Sequence, residues 1–402
     1  MEYNQDELSA PVWLNDEFFQ HVIRSFAHDP TIKLTAKCKL RPGTKAGDHF
    51  ASVMYRTTVR YRSDGEETSL DLIMKLKPVS EGLKKDLLEG EDFFGREIRM
   101  YNEVLPAMAR VLGSIGEEYN YPRLVYSSTE PHTIIILEDI SSKGWGIKGL
   151  IKSFEEMKPT IKNIAKFHAA SVVLAHNDPS FASQYKCTIP DTFRSMQSMT
   201  DACFLAFSTF LRDTLELPDL VGPVTNFHQQ INDRLQAAYG TSSICANVLI
   251  HGDFHFKNLL HLQPVDTIVD TMFVDYQMCS WSSQTVDLFY LTYMIPEQSV
   301  KESHRNEIIY SYHTEFSRIL ERLKYGDRIP SLMDLQTEML RNGALELFHY
   351  IVFSAFRYID LSTVDPEAFF LGHIENPALT KEEFQRAMKG EIKRFLYQGI
   401  IS

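Results

Sequence analysis

The hydrophobic period of this chain changes once, and the change limits the folds open to it. Ile32, Leu34, Ala36, Cys38 and Leu40 alternate with lysines and threonines, and Val53, Tyr55, Thr57, Val59 and Tyr61 alternate again. A period of two marks half-buried strands. Asp64-Gly65 is a hairpin turn, Leu70–Leu76 a third strand carrying Lys75, and 122–128 and 133–140 two more. After Pro78 the period lengthens. Phe94, Ile98, Tyr101 and Leu105 form one helical face with Glu97 beside it, and Pro106 marks its end. From Ile151 onward the pattern is mainly helical, over 151–175, 227–239, 303–323 and 335–359. The expectation is an α+β protein of two lobes: a small β-rich lobe over 1–140 and a larger, mainly helical lobe over 141–402. The glycine-rich run SSKGWGIKG (141–149) begins the second.

Composition narrows the function classes. Apolar residues make up 44% of the 402 and charged residues 23%, which suffices for large cores. A net charge of −12 argues against a nucleic-acid-binding surface. The apolar run Leu347–Phe356 is closed off by Glu346 and Arg357, so no membrane span is expected, and the acidic, polar start is unlike a signal peptide. Five scattered cysteines, without a Cys-x-x-Cys pair or a glycosylation acceptor, fit reduced thiols and a cytoplasmic home.

The chemistry concentrates in HGDFHFKNLL (251–260) and VDYQ (274–277). Short apolar runs, Asn247–Ile250, Leu259–Leu262 and Thr271–Val274, bracket these segments. As strands they would gather Asp253, Asn258 and Asp275 at one end. Two chemistries want such residues. Phosphoryl transfer needs a carboxylate near the acceptor hydroxyl, oxygen ligands for Mg²⁺ and a lysine for the phosphates. Asp253, four residues and Asn258 reproduce the spacing of a protein-kinase catalytic loop, with Asp275 as a second ligand and His251 orienting the loop. The small lobe has the matching order, with Lys75 on the third strand and Glu97 on the helix as phosphate-fixing candidates. The loop at 41–50, with Gly43 and Gly47, lies over the phosphates in that scheme. The rival is a zinc site of His251, Asp253 and His255, with His261 as a further ligand. It leaves Lys75, Glu97, Asn258 and Asp275 without a task. A catalytically silent fold is a third option. His168 reads as a core histidine bonded to backbone.

HGDFHFKN, VDYQ and Asp287-Leu288 together resemble the ecdysteroid kinase-like family, a relative of choline kinases and aminoglycoside phosphotransferases within the protein-kinase-like superfamily. Phe94, Glu97, Tyr101 and Leu105-Pro106 match its helix, LEDI (137–140) its linker strand and AKFHA (165–169) its first large-lobe helix. Tyr276 replaces the usual Phe, and Phe254 and His255 stand where Trp is common. The resemblance implies a two-lobed protein-kinase-like fold and ATP-dependent, Mg²⁺-assisted phosphorylation of a small hydroxylated acceptor. An ecdysteroid or a xenobiotic or plant-derived alcohol leads, with choline or ethanolamine as the alternative. It implies Asp253 as base with His251 beside it, Lys75 and Glu97 at the phosphates, Asn258 and Asp275 at the metal, and Glu138 to Ile140 at the adenine. Asp287 would brace the catalytic loop, or simply cap its own helix. Phe204, Phe207, Phe210, Tyr290, Tyr293, Phe348, Tyr350 and Phe353 are aromatic enough to line a steroid pocket, and Tyr276 or Trp281 to cage a cation. Oligomeric state is not legible.

Overall fold

The computed structural model describes residues 7–44, 52–78, 92–358 and 364–402. Gly47, part of the expected phosphate loop, and Ile359, the expected end of a helix, lie outside them.

Six strands form one antiparallel sheet: β1 (Lys33–Leu34), β2 (Arg41–Pro42), β3 (Val53–Ser63), β4 (Glu66–Leu76), β5 (Leu124–Ser128) and β6 (Ile134–Glu138). Their order is β1-β3-β4-β6-β5, with β2 also on β3. Asp64 and Gly65 join β3 to β4 at φ 52 and 84, left-handed at both positions, which matches the twist of a two-residue hairpin. The alternation at 32–40 overstates β1. Only Lys33 and Leu34 pair with β3, and the rest follows the sheet edge, where Thr57 Oγ1 donates to the Lys39 carbonyl. Helix α1 (Asp16–Ala27) covers one face of the sheet. Its Phe19, Val22 and Ile23 form a core of their own with Tyr55, Val59, Leu72, Met74, Ile134 and Ile136. Lys75 and Ile135 face the other way.

The Glu97 helix belongs to the other core. It comprises α2 (Phe93–Arg99), a π turn (Met100–Val104) and α3 (Leu105–Gly113). Pro106 does not end it. A proline lacks the N–H that would reach back to Asn102, and the wide π turn before it absorbs the missing bond. The turn also rotates the buried face. Val104, Met108 and Leu112 continue the stripe of Phe94 and Tyr101, all within the large core.

A short strand β7 (Trp145–Gly146) leads into α4 (Phe154–Asn177), which runs unbroken through Pro159. Helices α5 (Ser180–Gln184), α6 (Ile189–Ser195), α7 (Gln197–Asp213), α8 (Val221–Gln229) and α9 (Ile231–Ala238) follow. Then come β8 (Asn247–Ile250), β9 (Leu259–Leu262), β10 (Asp270–Phe273) and β11 (Ser280–Ser283). The chain ends in α10 (Thr285–Tyr293), α11 (Gln298–Arg322), α12 (Leu332–Arg341), α13 (Ala344–Phe348), a π turn (His349–Phe353), α14 (Ser354–Tyr358), α15 (Pro366–Phe370) and α16 (Glu382–Tyr397). The single helix expected over 335–359 is therefore broken near Gly343. A Cβ there would come within 2.3 Å of Ile400 Cδ1, so the C-terminal segment presses on that point. β8 pairs with β11, while β9 pairs with β10 and β7. No described helix is long and apolar enough to cross a membrane.

Candidate active site

The β9–β10 hairpin sets the geometry. Leu259 pairs with Phe273, which brings Asn258 and Val274 side by side, and the Val274 N–H donates to the Asn258 carbonyl at 3.1 Å. Asn258 thus ends the loop that begins at His251, and Asp275 leaves the hairpin at the same edge.

The loop is held from behind by Asp287, which is fully buried. Its carboxylate accepts the backbone N–H of His251 at 2.6 Å and of Gly252 at 3.0 Å, and contacts His168 Nε2 at 3.0 Å. It makes no cap for its own helix, whose N-cap residue is Gln284. His168 Nδ1 meets the Tyr312 hydroxyl at 2.7 Å, and that hydroxyl donates to Gln284 Oε1. His168 is a buried histidine, as expected, but its partners are side chains that tie the loop to α4, α10 and α11. Gly252 adopts φ 80, and a Cβ there would lie 2.5 Å from the Met278 carbonyl oxygen, so glycine is required in HGD.

Asp253 points out of this loop, with its side chain 32% exposed. Asn258 Nδ2 donates to its backbone carbonyl at 2.9 Å and to Oδ2 at 3.1 Å, while His255 Nε2 lies 3.4 Å from Oδ1. Burial pushes the carboxyl up. The His255 imidazole, then His251 and the Asn258 amide, outweigh that and hold it at about 2. His251 is buried, with Nε2 3.0 Å from the Val274 carbonyl. Burial draws its ring below the ordinary range despite the carboxylates of Asp287, Asp253 and Asp275.

Lys75 crosses from the sheet to this edge. Its Nζ lies 2.6 Å from Glu97 Oε2, 2.6 Å from Asp275 Oδ1 and 3.2 Å from Gln277 Oε1. Burial disfavours the ammonium, but Asp275 and then Glu97 more than compensate, so Lys75 stays charged. Glu97 is pushed up by burial, against the pull of Lys75 and with the push of Asp275. One cation thus joins two carboxylates from different parts of the chain. Tyr101 packs edge-on against Tyr276 at 5.5 Å, fastening the Glu97 helix to the Asp275 segment.

Glu138 and Ile140 lie at the end of β6, on the rim of the same sheet. The N–H groups of Glu138 and Asp139 donate to the carbonyls of Arg123 and Asp71. What remains for a base is the carbonyls and the Ile140 N–H. The Glu138 carboxylate is taken by Lys143 at 2.6 Å and Arg123 at 3.1 Å.

Several candidates are not brought together. The zinc set does not converge: His251 faces Val274, His255 Nδ1 accepts from the Lys257 N–H, and His261 is buried against Thr271 Oγ1. Among the described residues no three His, Cys, Asp or Glu side chains gather as a metal site. Asn258 and Asp275 instead offer hard oxygens of the kind Mg²⁺ takes with phosphate and water. Tyr276 is fully buried beside Phe167 and Tyr101, so it lines no open cage, and Phe204, Phe207 and Phe210 are core.

A small antiparallel sheet with its own core, joined to a larger helical lobe through a lysine bridge, defines a two-lobed, protein-kinase-like α+β protein. The ecdysteroid kinase-like family matches residues 46–325, and the chain belongs to that family. Among solved structures, a spectinomycin phosphotransferase complexed with ADP and spectinomycin aligns at 11% identity over 93% of this chain and 98% of its own, with a TM-score of 0.43. A macrolide 2′-phosphotransferase from Brachybacterium faecium aligns at 13% identity over 87% and 98%, with a TM-score of 0.35. No curated protein sequence matches.

Proposed function

We propose that this protein transfers the γ-phosphate of ATP to a hydroxyl of a small molecule. The observation that carries the proposal is the bridge from Lys75 to both Glu97 and Asp275, beside a loop whose Asp253 carboxylate faces outward. Family membership supports the same chemistry.

Asp253 is ionised at neutral pH and sits where an acceptor hydroxyl can be bonded. As the acceptor oxygen attacks the γ-phosphorus, its proton passes to Asp253. The bond to the β–γ bridging oxygen breaks, and ADP leaves with that electron pair. Lys75, fixed by Glu97, holds the α- and β-phosphates. Asn258 and Asp275 would hold Mg²⁺, which supplies charge neutralisation on the phosphates when bound. His251 keeps the loop in register through Val274. The backbone of Glu138 to Ile140 meets the adenine.

For the acceptor we favour an ecdysteroid or a xenobiotic or plant-derived alcohol over choline or ethanolamine, on family membership. The test is ADP release across a panel of an ecdysteroid, plant alcohols, choline and ethanolamine, with Mg·ATP. Release driven by an uncharged alcohol supports the assignment, and release driven by choline alone moves it to the alternative. A protein that binds Mg·ATP but transfers to nothing is the silent fold.

A further inference from the structure

His349 is fully buried, yet neither of its ring nitrogens has a hydrogen-bond partner among the described residues. The other fully buried histidines, His168, His251 and His261, each have at least one nitrogen engaged. Buried polar groups are nearly always bonded, and an orphan costs about 1–3 kcal/mol. A side chain left with two orphans points to a ligand that supplies the missing bonds.

Its location agrees. His349 opens the π turn His349–Phe353, and such turns often occur where helices carry function. Its ring lies 4.3 Å from that of Tyr290 and 5.5 Å from that of Phe353. His349 and Tyr290 both feel the charge of Asp253, so they stand on the Asp253 side of the helical lobe. Phe193, packed on Phe348 and Phe353, continues the aromatic wall.

We propose that His349 is a specificity-determining residue that binds the acceptor, donating from one ring nitrogen and accepting at the other. The proposal rests on the phosphotransferase assignment above. Burial holds the ring neutral at about 3, against the pull of Glu346 and Asp253. A neutral imidazole presents one N–H and one lone pair, which is the complement of a hydroxyl group. An ammonium ion would find only half of that useful, and a carboxylate only the other half. His349 therefore favours uncharged, polyhydroxylated acceptors in which a second hydroxyl fixes the molecule while the first meets Asp253.

The test compares His349→Leu and His349→Gln with wild type, using an ecdysteroid as acceptor probe. His349→Leu removes both orphans, so without ligand its melting temperature should equal or exceed that of wild type. Its KM for the ecdysteroid should rise at least tenfold (~1.4 kcal/mol), with the KM for ATP within about twofold. His349→Gln keeps a donor and an acceptor and should recover part of the loss. A His349→Leu protein that melts several degrees lower would show a structural ring and overturn the proposal, as would an unchanged acceptor KM. Should wild type release no ADP with the ecdysteroid, that acceptor assignment fails. The melting comparison then still decides whether the fold itself needs these nitrogens.

Discussion

Asp275 stands at φ 66 and ψ 61, left-handed backbone that costs an ordinary residue about 1–2 kcal/mol. Aspartate and asparagine tolerate it best, and the strain aims the carboxylate at Lys75. Asp275→Asn therefore keeps the backbone while removing the charge. Its melting temperature should stay within a few degrees of wild type, while the KM for Mg·ATP rises by about tenfold or more. Lys75→Met is a different case. It leaves Glu97 buried without its cation, so about 3–5 kcal/mol of stability should go along with activity in urea unfolding. An equal loss of stability in the two variants would contradict the asymmetry drawn here. At this scale the sequence was informative where a motif has fixed spacing: Lys75 on a strand, Asp253 and Asn258 in one loop, Asp275 shortly after. It was silent on the Asp287–His168 contact, whose members lie far apart and each look like packing residues. It was equally silent on His349, which sits within an aromatic stripe that reads as core.

Helices in this molecule are fastened to one another by charged groups that periodicity does not reveal. Glu117, just past α3, meets Lys166 of α4 at 3.2 Å and Arg318 and Arg322 of α11 at 2.8 and 2.6 Å. Burial pushes its carboxyl up, but hydrogen bonds from Arg318 and Lys166 outweigh that and hold it at about 2. Its folded pKa is thus depressed, so its stabilisation is complete above the unfolded value near 4.5 and is lost as pH falls toward 2. Glu117→Gln should cost about 1–3 kcal/mol at pH 7, and its stability should fall less steeply than wild type between pH 4.5 and 2. Parallel slopes in chemical denaturation would remove Glu117 from that role. Strands β3 to β6 and helices α4 and α11 were legible because their apolar period is long and regular. The π turn before Pro106 was not, because a proline in a helical stripe looks like a stop unless the turn that absorbs it is seen.

The whole molecule carries several histidines that must stay neutral to remain folded. Burial holds His261 down at about 4 and His349 at about 3, and it lowers His251 as well. Their folded pKa values lie below the unfolded value near 6.5, so the unfolded chain binds more protons under that pH. Stability should therefore be full above pH 6.5 and decline as pH falls toward 4, each such group adding about 1.4 kcal/mol per pH unit to the slope. Flat stability over that window would mean these rings are more hydrated than their burial implies. The two-lobed plan was readable from the change of hydrophobic period. The partition of the Glu97 helix into the large core was not, because a helical stripe does not name its partner. The account turns on Asp253 as the group that accepts the acceptor's proton. Its most direct test is steady-state transfer of γ-labelled phosphate from ATP to the best acceptor of the panel, by wild type and by Asp253→Asn. We predict a kcat lower by ~10²–10⁴ with the KM for ATP little changed, and transfer at the wild-type rate would contradict the account.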